Sequence, residues 1–123
     1  MKGYLQEIHP VLPVKDVVKA LHFYVEKLGF KIAFADDDVK PFYASVKRDN
    51  IEIHLQWHDA KEWESVERPM LRFVTQNITS LYDEYKTKDV FHKNTSLKET
   101  DWGTREFAFY DLYKNGLTFY QGL

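Results

Sequence analysis

The residues able to do chemistry are few in kind: the 123-residue chain has five histidines, 19 acidic side chains and no cysteine. Without thiols there can be no disulfide, thiolate ligand or cysteine nucleophile. No G-x-S-x-G elbow, phosphate-binding P-loop or G-x-G-x-x-G turn occurs. His54 and His58 are four apart, but they fall in a run of period two, so they do not form a helical ligand pair. In that run Ile51, Ile53, Leu55 and Trp57 make one apolar face opposite Glu52, His54 and Gln56. Eight Tyr, nine Phe and three Trp are a heavy aromatic load. Phe23, Phe30, Phe73 and Phe107 read as core. Tyr43 opposes Phe42, and Thr118 and Tyr120 oppose Leu117 and Phe119, so these three belong on the polar side of their strands.

The elements that must position these groups can be read in order. Residues 7–14 read as a strand that Pro10 and Pro13 confine to an edge or an exchange point. Asp16 is a helix cap. Val17, Leu21, Tyr24 and Leu28 share one helical face, and Gly29 is the stop. The period then falls to two through Phe30, Ile32 and Phe34. It continues through Phe42, Ala44 and Val46 and, after a turn at 48–50, through 51–57. Residues 58–67 are a polar linker. A strand at 70–75 follows, then Asn77 as the cap of a second helix with Ile78, Leu81 and Tyr85 inward. Residues 89–101 read as one short irregular strand, and 105–111 and 117–121 as a closing pair.

Sliding the chain by 61 residues lays Asp16 on Asn77, Val17 on Ile78 and Tyr24 on Tyr85, a weak internal repeat. The expected architecture is α+β, one domain over 1–123, with two tandem βαβββ halves at about 1–60 and 68–123.

Composition narrows the function. A net charge of −2 without a Lys/Arg-rich run disfavours nucleic acid as partner. No apolar stretch approaches the ~20 residues of a membrane span. The first seven residues lack the order of a secretory signal, so the glycosylation-like triplets at Asn77 and Asn94 read as chance and the expected address is cytoplasmic.

Three segments carry a resemblance. The first is Pro10-Val11-Leu12-Pro13-Val14-Lys15-Asp16 with His22-Phe23-Tyr24 and Leu28-Gly29-Phe30. The second is Phe34 to Asp38, an acidic turn after the second strand. The third is Trp102-Gly103-Thr104-Arg105-Glu106-Phe107, continuing through Asp111 and Asn115 to Phe119. In this order they resemble the glyoxalase/bleomycin-resistance/dioxygenase (vicinal oxygen chelate) superfamily, closest to its bleomycin-resistance branch. Thr104 is an insertion in the tryptophan motif, and the turn at 111–115 departs from the usual D-P-x-G-N.

The resemblance implies a curved, partly open sheet and a homodimer that exchanges its first strand. It also implies a cleft for a small molecule such as a bleomycin-like glycopeptide, giving antibiotic resistance by sequestration. Ligand-binding residues implied there are Tyr43, Glu52, His54, Trp102, Arg105, Thr118 and Tyr120. Metal-dependent relatives take ligands from the first and last strands of both halves. Here those positions fall on His9 and Glu52 (His54 if the register slips by two), but on Met70 and Thr118 in the second half. Sliding by 66 pairs Glu52 with Thr118. A thioether and a hydroxyl are poor ligands for hard or borderline ions, so binding without a cofactor is expected. The alternative is a metal-dependent glyoxalase- or dioxygenase-type enzyme using His9 and Glu52.

Overall fold

The computed structural model describes all 123 residues. The first half consists of β1 (Val11–Val14), α1 (Val17–His22), β2 (Lys31–Ala35), β3 (Tyr43–Arg48) and β4 (Ile51–Trp57). A short α2 (Ala60–Trp63) leads to β5 (Met70–Val74), α3 (Ile78–Lys86), β6 (Lys98–Glu99), β7 (Thr104–Tyr110) and β8 (Gly116–Gly122). Each half is an open four-stranded sheet, ordered β1-β4-β3-β2 and β5-β8-β7-β6. The first strand of each half joins the last in parallel. Helix α1 packs on β3 and β4, and α3 on β7 and β8, so each sheet keeps one helix-free face. No helix is long and apolar enough to cross a membrane.

Local chemistry explains the boundaries. The Asp16 carboxylate accepts from the Lys19 amide at 3.0 Å, which starts α1. Its last turn widens to a π-turn at Phe23–Lys27, closed by the Leu28 amide on the Phe23 carbonyl. Gly29 then takes φ +80°, and a Cβ there would meet Arg48 Nη1 at 2.8 Å, so only glycine fits.

Five expectations change in detail. Only Val11–Val14 of the first segment pairs as a strand, and it is an edge, as the prolines require. The residues before it are exposed, among them Tyr4, Leu5 and Ile8. Asn77 does not cap α3: its backbone is left-handed (φ 54°) and its side chain makes no cap bond. Gln121 Oε1, from β8, accepts from the Ile78 amide instead at 3.0 Å. The linker holds α2, whose capping box joins Asp59 and Glu62. The segment 89–101 contributes only the two-residue β6. Finally, a register shift between Ile32 and Phe34 puts Phe34 opposite Ser45. A bulge thus turns Phe34 off the core alternation onto the Tyr43 and His54 rings.

The buried apolar residues form one cluster shared by both halves. Polar bonds join them as well. Tyr24 donates to the Asp111 carboxylate at 2.8 Å, and Asn115 Nδ2 donates to the Pro13 carbonyl at 3.0 Å. Reciprocally, the Tyr85 hydroxyl and Arg48 Nη1 both donate to the Leu28 carbonyl, at 2.8 and 2.7 Å. Burial pushes the Tyr24 and Asp111 ionisations up, so the first of these junctions sits in a dry environment.

Candidate functional site

The strand registers decide which side chains meet. On the helix-free face of the first half, Ser45 lies opposite His54 and Lys47 opposite Glu52. The His54 amide bonds the Pro10 carbonyl at 2.9 Å, which anchors His9 next to them. His54 Nε2 donates to Glu52 at 2.9 Å, and Tyr43 donates to His54 Nδ1 at 2.8 Å. Ser45 donates to the same Glu52 oxygen at 2.9 Å, while His9 Nε2 is 3.7 Å from the other. The bonds from His54 and Ser45 hold the Glu52 carboxyl below its ordinary value. Phe34 stacks on Tyr43 and meets His54 edge-on, so the group is polar at its centre and aromatic at its side.

The second half presents a different group on its corresponding face. Arg72 on β5 and Glu106 on β7 form an ion pair at 2.8 Å. Thr104 donates to the same Glu106 oxygen at 2.6 Å and the Trp102 indole at 3.1 Å. Arg72, seconded by Thr104 and Trp102, lowers the Glu106 carboxyl to about 2. Trp102 is 69% exposed, so its indole is held at one edge while its faces stay open. The Arg72 guanidinium lies 4.3 Å over the Tyr120 ring, so one face of that ring is already occupied.

Tyr43, Glu52 and His54 are therefore brought together with His9, and Trp102 and Tyr120 come together through Glu106 and Arg72. Two expected residues are placed elsewhere. Arg105 pairs with Glu99 rather than Glu106, and it lies with Gln121 on the opposite side of β7 from Thr104 and Glu106. Adjacent residues on a strand point to opposite faces, so Arg105 cannot share the rim with Trp102. Thr118 is buried and donates to Met70 Sδ at 3.3 Å, which leaves its hydroxyl engaged. Arg72, Glu106, Ser45 and Phe34 were not singled out from sequence. The first two were legible in part, as charges alternating with Leu71, Phe73, Phe107 and Phe109.

The register also corrects the comparison of the halves. Val11 pairs with His54, whereas Arg72, sixty-one residues after Val11, pairs with Thr118. The last strands thus match at an offset of 64, not 66, and His54 rather than Glu52 is the counterpart of Thr118. Glu52 corresponds to Gly116, over which Met70 is folded: a Cβ on Gly116 would lie 2.5 Å from its sulfur. A metal set drawn equally from both halves does not fit this chain, because Met70 and Thr118 fill that place with each other.

Two half-sheet modules in this order, with divergent helix-free faces, define a fold class, and the sequence profile of the Glyoxalase/Bleomycin resistance protein/Dioxygenase superfamily matches residues 8–119. The chain belongs to that superfamily. It is similar to a bleomycin resistance protein of Geobacillus stearothermophilus, 33% identical across 95% of this chain and 96% of the relative. The same identity and coverage hold for a bleomycin resistance protein of Staphylococcus aureus. Among solved structures, a bleomycin-binding protein of Streptomyces verticillus in complex with copper(II)-bleomycin superposes with a TM-score of 0.74 at 25% identity, covering all of both chains.

Proposed function

We propose that this protein binds a bleomycin-type glycopeptide without altering it, acting in the cytoplasm as a sequestering protein. The observation that carries the reading is the pair of helix-free faces left uncovered in one chain. One bears an ionised Glu52 among Tyr43, Phe34 and two histidines; the other bears the open indole of Trp102. A cationic ligand with a flat aromatic segment suits such a pair, since charge and stacking are offered on separate walls. The similarity to bleomycin resistance proteins along the whole chain supports the same ligand class.

No hydrogen bond, ion pair or ring contact links the two groups within the chain, so the cleft is proposed to form in a homodimer. There the first-half face of one copy meets the second-half face of the other, and the exposed segment before β1 is available to cross between copies. Of the acidic turn, Asp36 and Asp37 bond the amides of Phe42 and of Val39 and Lys40, so they shape the loop that borders Phe34 and Tyr43. The test is a titration with bleomycin followed by tryptophan fluorescence, alongside the mass in solution. Saturation at micromolar drug by a dimer is expected. No saturable change would sink the ligand, and a monomer that binds equally well would sink the two-copy cleft.

A further inference from the structure

We infer that the cavity between the β3–β4 turn and α3 is a binding site for a small, uncharged aromatic amide. It lies on the helix side of the sheets, apart from both helix-free faces, and does not depend on the drug-binding reading.

Each half sends the loop between its last two strands against the helix of the other half, and the two junctions correspond residue by residue. At the offset of 64, Asn115 answers to Ile51. Asp111, whose amide bonds the Asn115 carbonyl at 2.9 Å, then answers to Arg48, the partner of Ile51. Tyr24 donates to Asp111, and Arg48 Nη1 donates to Tyr85, the counterpart of Tyr24, at 3.1 Å. The junctions differ in what fills them. Between the paired residues stand Leu112, Tyr113 and Lys114 in the second half, but only Asp49 and Asn50 in the first. Tyr113 packs on the shared core and meets Trp63 edge-on, and Asn115 Nδ2 donates to the Pro13 carbonyl. No ring answers to Tyr113 in the first half, and Ile51 has no amide to give. Val74, the counterpart of Pro13 sixty-one positions on, is thereby left without that donor. The Thr75 amide bonds the Tyr120 carbonyl at 2.8 Å, so by alternation Val74 turns its backbone groups to the free edge of β5.

The cavity of about 540 Å³ occupies this place, a size suited to a small molecule. Phe30, Phe73 and Phe119 give it an apolar wall, and Ile51, Val74 and Asn77 border it. The Asn77 side chain makes no cap bond, so its amide stays open to a ligand. Arg48 is held by the two Glu84 oxygens at 2.8 and 3.0 Å, and Asp49 lies 3.7 Å from its Nε. No cation is therefore free for an anionic ligand, and an uncharged one fits. A ring against the phenylalanines, with an N–H aimed at the Val74 carbonyl, would supply here what Tyr113 and Asn115 supply at the other junction.

Hydroxyphenylacetamide, with its hydroxyl para, is the probe, titrated into the full-length protein and followed by backbone amide chemical shifts. Saturable shifts are expected at Asn50, Gln76 and Ser80 but not at Tyr43 or Trp102, with a Kd of about 1 mM for so small a molecule. The methyl ester of the corresponding acid lacks the amide donor and should bind about five-fold more weakly, the free carboxylate more weakly still. Both comparisons use the unsubstituted protein, so they stand even if a variant folds poorly. Ser80→Trp, at an exposed position of α3, should abolish the shifts by filling the cavity. Ile51→Asn restores the missing amide from within the chain and should weaken probe binding about five-fold. No saturable shift at about 10 mM probe would overturn the site, whether the cavity stays closed or a second copy covers it. So would shifts centred on Tyr43 and Trp102, equal binding of amide and ester, or binding indifferent to Ser80→Trp in a folded variant. Bleomycin binding can succeed or fail in its own titration without altering any of these outcomes.

Discussion

Leu12, Val14, Leu28, Val46, Ile53 and Leu55 fill the first half, whereas Phe73, Tyr85, Phe107, Phe109 and Phe119 fill the second. The strand order is the same, but the first core is mostly aliphatic, with Tyr24 and Phe30 as its rings, and the second mostly aromatic, with Ile78, Val90 and Leu117 beside its rings. The rings of the second half are mutually stacked or edge-on, with Phe119 meeting Phe73, Tyr85, Phe107 and Phe109. The hairpins differ too. In the first half the turn between β3 and β4 is only Asp49 and Asn50, with Asp49 left-handed, and a cavity of about 540 Å³ lies between this hairpin and α3. In the second half the longer loop between β7 and β8 carries Asp111 and Asn115 to Tyr24 and Pro13. A repeated backbone therefore tolerates different packing and different outer faces, so long as each half keeps its parallel first-to-last pairing.

The largest expected effect breaks the second core. Phe119→Ala removes a ring that four others touch and should cost about 3–5 kcal/mol, against about 2–5 for Leu55→Ala in the aliphatic half. Chemical denaturation of both variants measures the difference, and a smaller loss at Phe119 would show that ring contacts add little here. The two inter-half tyrosines come next. Tyr24→Phe takes a donor from the buried Asp111 and should cost about 1–3 kcal/mol. Tyr85→Phe should cost less, because Arg48 still donates to the Leu28 carbonyl.

Acid sharpens the contrast between the outer faces. Glu106 has its carboxyl lowered from an ordinary 4.5 to about 2 by Arg72, then Thr104 and Trp102. Its folded value lies below its unfolded value, so the ionised group stabilises the fold fully above about pH 4.5 and loses that effect as the pH falls towards 2. Between those limits Tm should fall with pH for the natural chain, and fall less for Glu106→Gln, as thermal melts at a series of pH values would show. The smallest effect is Arg105→Ala, which removes an exposed pair with Glu99. It should change stability by under about 1 kcal/mol and leave any ligand affinity intact.

Much of this was legible along the chain. Asp16 and Gly29 bound α1 as their types require, and the alternation at 51–57 separated Ile53 and Leu55 from Glu52 and His54. These are local effects, settled by neighbours within a turn of helix or a step of strand. The site was legible in part: Tyr43, Glu52 and His54 share a face as their parity requires, but no local pattern shows that Arg105 faces away from Glu106 or that Arg72 reaches it. The partner of Glu106 is Arg72, thirty-four residues away.

By itself, then, the sequence determined the order of elements, the repeat and which side of each strand is polar, because propensity and periodicity act over a few residues. Tertiary structure alone decided that Gln121 caps α3, that Asn115 reaches Pro13 across 102 positions, and that the last strands of the halves match at an offset of 64. That offset follows the lengths of the connections, the loop between β7 and β8 being longer than the turn between β3 and β4, which no local pattern reports. It is also what makes His54 the counterpart of Thr118 and leaves Glu52 opposite the place that Met70 fills.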